Sequence, residues 1–131
     1  MSTKLFTFKG GVHPPTNKTI TQNVPIENAV DPETVVIPLS QHIGAPCDPL
    51  VAVGDKVKVG QKIGESKAFV SVPVHSSVSG TVKKIEQHYV PGGSKVNCIV
   101  IESDGKYDVH ESVQPKGEVE NLTKEEILSI I

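Results

Sequence analysis

The chain has 131 residues, 13 Lys plus Arg against 15 Asp plus Glu, and a formal net charge of −2, so it carries no basic footprint for nucleic acid or an anionic membrane. Twenty Val and eleven Ile stand against five Leu, with three Phe, two Tyr and no Trp. β-Branched side chains lose rotamer freedom in helices and pack well on pleated sheets, so this ratio argues for one β-dominated domain.

Residues 1–33 read as an extended N-terminal arm. Leu5-Phe6-Thr7-Phe8 is a short strand, and Lys9-Gly10-Gly11-Val12-His13-Pro14-Pro15 forbids a helix and forces a turn followed by extended chain. Val12, Ile20, Val24 and Ile26 are expected to anchor this arm around the rest of the protein.

Residues 34–102 form the body. Thr34 to Leu39 is a strand ended, or placed at a sheet edge, by Pro38. A loop of small residues, Ser40 to Pro49, leads into two short β units. In the first, Val51 and Val53 alternate up to Gly54-Asp55, and Val57 and Val59 up to Gly60-Gln61. In the second, Val70, Val72 and Val74 precede a turn at His75-Ser76-Ser77, and Val78, Gly80 and Val82 follow. Period-two spacing puts these valines on one strand face, and two units folded face to face make a flattened sandwich with one buried valine layer. After a turn at Tyr89 to Gly93, Lys95 to Glu102 is the longest strand, with apolar residues on both faces and therefore covered on both. Cys47 and Cys98 match no paired spacing and read as reduced, packed residues.

Residues 103–131 are a polar connector and the start of a helix. Thr123 and Glu126 have capping-box spacing, and Ile127, Leu128, Ile130 and Ile131 form the apolar side. With no closing Gly after them, the helix is expected to be cut in mid-course and to continue into a longer chain. No apolar run matches a bilayer's thickness, and Met1 to Lys4 leads into no signal-peptide core. The expected location is cytoplasmic, with any attachment to the cell membrane made through a partner.

Val53-Gly54-Asp55-Lys56-Val57 with Gly60-Gln61, and Val78-Ser79-Gly80-Thr81-Val82, resemble the biotinyl/lipoyl-type fold, the barrel-sandwich hybrid. A fuller resemblance lies in three runs: Phe6 to Pro15, Ile37 to Pro46, and Phe69 to His75. In that order they resemble the N-terminal part of RnfC, the C component of the Rnf electron transport complex, an ion-translocating ferredoxin:NAD oxidoreductase. That resemblance implies electron transport with NADH, FMN and iron–sulfur clusters in the full-length protein. Its partners would be the downstream flavin/NADH and iron–sulfur domains and other Rnf membrane subunits, with no nucleic acid and no direct membrane insertion. The Na⁺-pumping NADH:quinone reductase has a subunit with a similar domain and is the family-level alternative. No cofactor, metal or catalytic site is expected in this chain itself. Two isolated cysteines cannot hold a cubane cluster, and neither Gly10-Gly11 nor Gly92-Gly93 lies between a strand and a helix to cradle a pyrophosphate.

The rival reading is a lipoyl- or biotinyl-type carrier modified at Lys67, in Ser66-Lys67-Ala68. Counting back from Val78-Ser79-Gly80, the modified position falls on Phe69 instead, which leaves Lys67 two residues off the turn apex. His13, His42, His75, His88 and His110 show no metal-ligand spacing, and Ser76-Ser77 beside His75 lacks a nucleophile-elbow context. The reading that remains is associative: Phe8, Lys9, Gly10, Gly11, His13, His42 and His75 supply the candidate docking surface.

Overall fold

The long alternating runs at the centre of the chain pair as an antiparallel hairpin, β6 (Gly80–Tyr89) with β7 (Lys95–Ser103). The computed structural model describes residues 10–11, 14–115 and 117–130 and divides the chain into two compact units, Met1–Val30 and Asp31–Ile131. Between β6 and β7 the Val90 amide donates to Ser94 (3.0 Å) and the Gly93 amide to Val90 (2.8 Å). Gly93 sits at φ 79°, a left-handed conformation that glycine adopts without a Cβ clash.

β1 (Thr34–Pro38) adds to the outer side of β7, with Thr34 opposite Glu102 and Pro38 opposite Cys98. β3 (Lys56–Val57) adds to β6, giving a four-stranded sheet in the order β1-β7-β6-β3. Pro38 therefore ends an edge strand, where its missing N–H costs no ladder bond. A second sheet, in the order β2-β4-β5, uses β2 (Asp48–Pro49), β4 (Lys62–Glu65) and β5 (Val74–His75).

Both sheets contribute to one core: Ile37, Val57, Val82, Ile99 and Ile101 from the first, Ile63 and Val74 from the second, with Leu39, Cys47 and Val78 from connecting segments. Cys98, Ile99, Val100 and Ile101 are consecutive and all buried, so β7 is covered on both faces as its composition predicts. Cys47 and Cys98 are free thiols, both buried.

A buried hydroxyl fixes the entry to β6. The Ser79 Oγ donates to Asp104 Oδ1 (2.6 Å) and accepts from the Asp108 amide (3.1 Å), while the Asp104 amide donates to the Ser79 carbonyl (3.0 Å). The Ser79 hydroxyl, and then the Lys106 amide, hold the Asp104 carboxyl below its ordinary pKa of 3.8. A carboxylate with a depressed folded pKa contributes stability that is complete above the unfolded value and lost as pH falls through the folded one. Asp104→Asn is therefore expected to flatten the fall in urea midpoint below pH 3.8 relative to the parent chain. Identical acid profiles would show that the carboxylate has no part in that fall.

Two expectations need correction. The period-two valines do not all share a buried layer: Val57, Val74, Val78 and Val82 are buried, but Val53, Val70 and Val72 are exposed. Residues 50–55 and 66–73 are loops, and the backbone at Val70 and Val72 bonds to another loop instead of a strand ladder. β6, at ten residues, also exceeds the nine of β7 and runs through Tyr89, a residue expected in the turn. In the first unit, Ile20, Val24 and Ile26 are exposed, and the described residues hold one 3-10 turn (Lys18–Ile20) and no strand. Val12 and the strand expected at Leu5 to Phe8 lie outside the described residues.

The helix α1 (Lys124–Ile130) starts as its sequence requires. The Glu126 carboxylate accepts from the Thr123 amide (2.8 Å), and the Thr123 hydroxyl accepts from the Glu126 amide (3.3 Å), a reciprocal capping box. No helix among the described residues is long and apolar enough to cross a membrane.

Candidate docking site

Where β1 ends, the chain turns away from the sheet. The Gln41 side-chain amide donates to the Pro38 carbonyl (2.9 Å), and the His42 ring then reaches across to the loop before β5. The Gly44 amide donates to His42 Nδ1 (3.0 Å). His42 Nε2 lies 3.1 Å from the Val72 amide, which donates to it, and 3.2 Å from the Val72 carbonyl. Three further bonds join the same loops: Ala45 amide to Val70 carbonyl (2.9 Å), Ser71 Oγ to Ala45 carbonyl (3.1 Å), and Cys47 Sγ to Val72 carbonyl (3.2 Å). Gly44 is required by this approach, since a Cβ there would collide with the Val70 carbonyl.

The joined loops frame a groove of about 310 Å³ lined by Gln41, His42, Val72, Pro73, Val74 and His75. A second depression of about 240 Å³ shares Gln41 and His75 and extends past Val36 and Pro38 to Ser77. The structure thus brings His42, from a loop, and His75, from β5, together from segments distant in sequence. Of the other proposed docking residues, Gly10 and Gly11 are exposed and belong to the first unit, while Phe8, Lys9 and His13 lie outside the described residues.

Both nitrogens of His42 are committed to backbone, so its role is structural. His75 is exposed on β5 and makes no hydrogen bond through its side chain among the described residues. A single exposed imidazole beside an amide and apolar walls suits contact better than proton transfer. The Ser76 hydroxyl is buried and donates to the Val78 carbonyl (2.7 Å), so it is spent on the turn. Among the described residues no three His, Cys, Asp or Glu side chains converge on a point that would hold a metal ion. Lys67 is exposed, two residues after β4 ends in the loop that leads to β5.

Sequence reasoning missed the apolar rim of this site. Ile43 and Phe69 are fully exposed, at 102% and 103% of their reference areas, and Val70 and Val72 are more than half exposed. Small residues around them, Gly44-Ala45-Pro46 and Ser66 to Ala68, were the available signal that these side chains sit on loops.

Two small sheets closed over one shared core, with an edge strand ended by proline, define a barrel-sandwich hybrid. Residues 6–106 match the family model for the RnfC barrel sandwich hybrid domain, and the chain belongs to that family. It is 47% identical, over its full length, to the C subunit of the Na⁺-translocating ferredoxin:NAD⁺ oxidoreductase complex of Acetobacterium woodii. It is 46% identical over 127 residues to the proton-translocating counterpart of Clostridium ljungdahlii, and 39% identical over 132 residues to the C subunit of the ion-translocating oxidoreductase complex of Vibrio cholerae. These alignments cover 100%, 97% and 99% of this chain but only 30%, 28% and 17% of the relatives. The chain therefore spans less than a third of each of these proteins.

Proposed function

We propose that this domain is the non-catalytic docking module of a membrane-associated RnfC-type protein, whose remaining domains pass electrons between NADH, FMN and iron–sulfur clusters. The observation that carries the reading is the use made of its reactive side chains. His42, Cys47, Ser76 and Ser79 all bond to loop or turn partners, which makes a stiff body with an open groove. The cysteines present do not fit an iron–sulfur cluster. A four-iron cluster needs four thiolates, whereas Cys47 and Cys98 are buried and each directs its Sγ to a backbone carbonyl. No electron-transfer step is assigned to this domain.

The groove and its loops meet either the flavin and cluster domains of the same polypeptide or another subunit of the complex.

The test uses the full-length protein with the substitution His75→Glu, which places a charge in the groove without touching the His42 bonds. Recovery of the complex through a tag on another subunit is expected to fall at least fivefold, with flavin and iron per polypeptide unchanged. Lost flavin or iron would instead make the groove part of the redox centre. Intact mass from cells with active ligases is expected to show Lys67 unmodified, and an added lipoyl or biotinyl mass would establish the carrier reading.

A further inference from the structure

We infer that His42 is a pH-sensitive latch on the groove: its neutral ring bridges the two loops, and a second proton on the ring releases it. The latch stands on the geometry of the ring, while its use to regulate docking rests on the docking reading above. Each ring nitrogen faces a backbone amide, Nδ1 that of Gly44 (3.0 Å) and Nε2 that of Val72 (3.1 Å). A neutral imidazole has one bare nitrogen and one N–H, so it serves these partners by turns. With the proton on Nε2, the Val72 carbonyl 3.2 Å away accepts it and Nδ1 takes the Gly44 amide. With the proton on Nδ1, Nε2 takes the Val72 amide instead. An imidazolium has no bare nitrogen, so both amides lose their acceptor and the Gly44 N–H is left facing a ring N–H.

The surroundings do nothing to accommodate a charged ring. Gly44 is pressed against the Val70 carbonyl, and the next amide, that of Ala45, donates to the same carbonyl (2.9 Å), which keeps the Gly44 N–H aimed at the ring. The groove is lined by Gln41, Val72, Pro73, Val74 and His75, and among these described residues there is no carboxylate to hold a positive charge. His75 on β5 is the titratable neighbour there, and a proton on it repels one on His42. Lys67, Asp48 and Glu65 line a different cleft at the far end of the second loop. The Cys47 thiol already donates its proton to the Val72 carbonyl and takes up none as pH falls. A ring that must be neutral in the closed state binds fewer protons closed than open, so opening is favoured as pH falls. The Ala45–Val70, Ser71–Ala45 and Cys47–Val72 bonds contain no group that gains a proton, so the loops stay tethered while the ring leaves the groove wall.

Hydrogen–deuterium exchange of the full-length protein tests this, read residue by residue by fragmentation mass spectrometry at about pH 7.5 and about pH 5.5, on either side of ordinary imidazole titration. After correction for the intrinsic pH dependence of exchange, protection at Gly44 and Val72 is expected to fall at least fivefold at the lower pH. Ala45 and the β6–β7 ladder are expected to keep theirs. Unchanged protection at Gly44 and Val72 overturns the inference, and so does an equal loss at Ala45, which would assign the change to the whole loop. His42→Asn supplies an oxygen that accepts from an amide two residues on and does not titrate, so its profile is expected to be flat with pH, whatever its level. A loss that survives in His42→Asn, or that vanishes in His75→Asn, places the proton elsewhere and overturns the inference. His75→Glu separates the two readings. Unchanged complex recovery beside the expected exchange leaves the latch standing and the docking reading fallen, whereas lost recovery with pH-independent exchange reverses the two.

Discussion

Gly80→Ala is expected to lower the unfolding free energy of this chain by about 3 kcal/mol, the upper part of the overpacking range. Gly80 opens β6, where it lies opposite Val57 of β3 on one side and Ser103 of β7 on the other. A Cβ at this position would fall inside contact distance of the Glu102 carbonyl oxygen. The obstacle is backbone in a central pair of strands, so relief requires the β6–β7 ladder to spread. For a domain of about 100 residues, 3 kcal/mol corresponds to a fall of roughly 15 °C in Tm, readable by calorimetry or circular dichroism. Gly92→Ala is the control, because nothing lies within 4 Å of an added Cβ there. That change is expected to be neutral or to stabilise slightly by restricting the unfolded chain. A Gly80→Ala Tm within about 3 °C of the parent, about 1 kcal/mol or less, would mean that β6 and β7 are not this closely apposed.

The second large effect is expected at Ile101. Its side chain is fully buried, between Val35 of β1 and Val82 of β6 in the sheet, and belongs to the core that both sheets share. Ile101→Ala removes transferred apolar volume and leaves a cavity that close neighbours cannot fill, at a cost of about 4 kcal/mol. Ile101→Val removes one methylene and is expected to cost about 1 kcal/mol. With an m-value of about 2 kcal/mol/M, the alanine variant's urea midpoint falls by roughly 2 M at unchanged slope. Val36→Ala, at a partly exposed position on the edge strand, is expected to stay within about 0.5 kcal/mol of the parent. Equal costs at Ile101 and Val36 would sink the shared-core description.

Much of this architecture is legible from residues alone, and the reasons separate what is visible there from what is not. Lys95 to Glu102 reads as a doubly covered strand because Cys98 and Val100 alternate with Ile99 and Ile101, and all four are buried. The Thr123–Glu126 cap is local chemistry within one turn and appears as its spacing predicts. The run Val70-Ser71-Val72-Pro73-Val74 fails for a definable cause. Alternation reports an extended backbone, whereas the partner of that backbone is a tertiary fact. Here the partner is the loop at His42 to Cys47, so only Val74 turns inward. The convergence of His42 and His75 on one groove is hidden for the same reason. Each stands out only by its own sequence context, and the closing of the two sheets makes them neighbours.

The clasp between the two loops leaves their outer rim free to change over time. Main-chain carbonyls and amides hold them together, helped by His42, Ser71 and Cys47, while Ile43, Phe69 and Val70 give their side chains to none of those bonds. Those three positions can thus drift in shape and polarity while the frame beneath them keeps its form. A lineage that acquires a different neighbour can retailor this face residue by residue, without refolding the body that presents it.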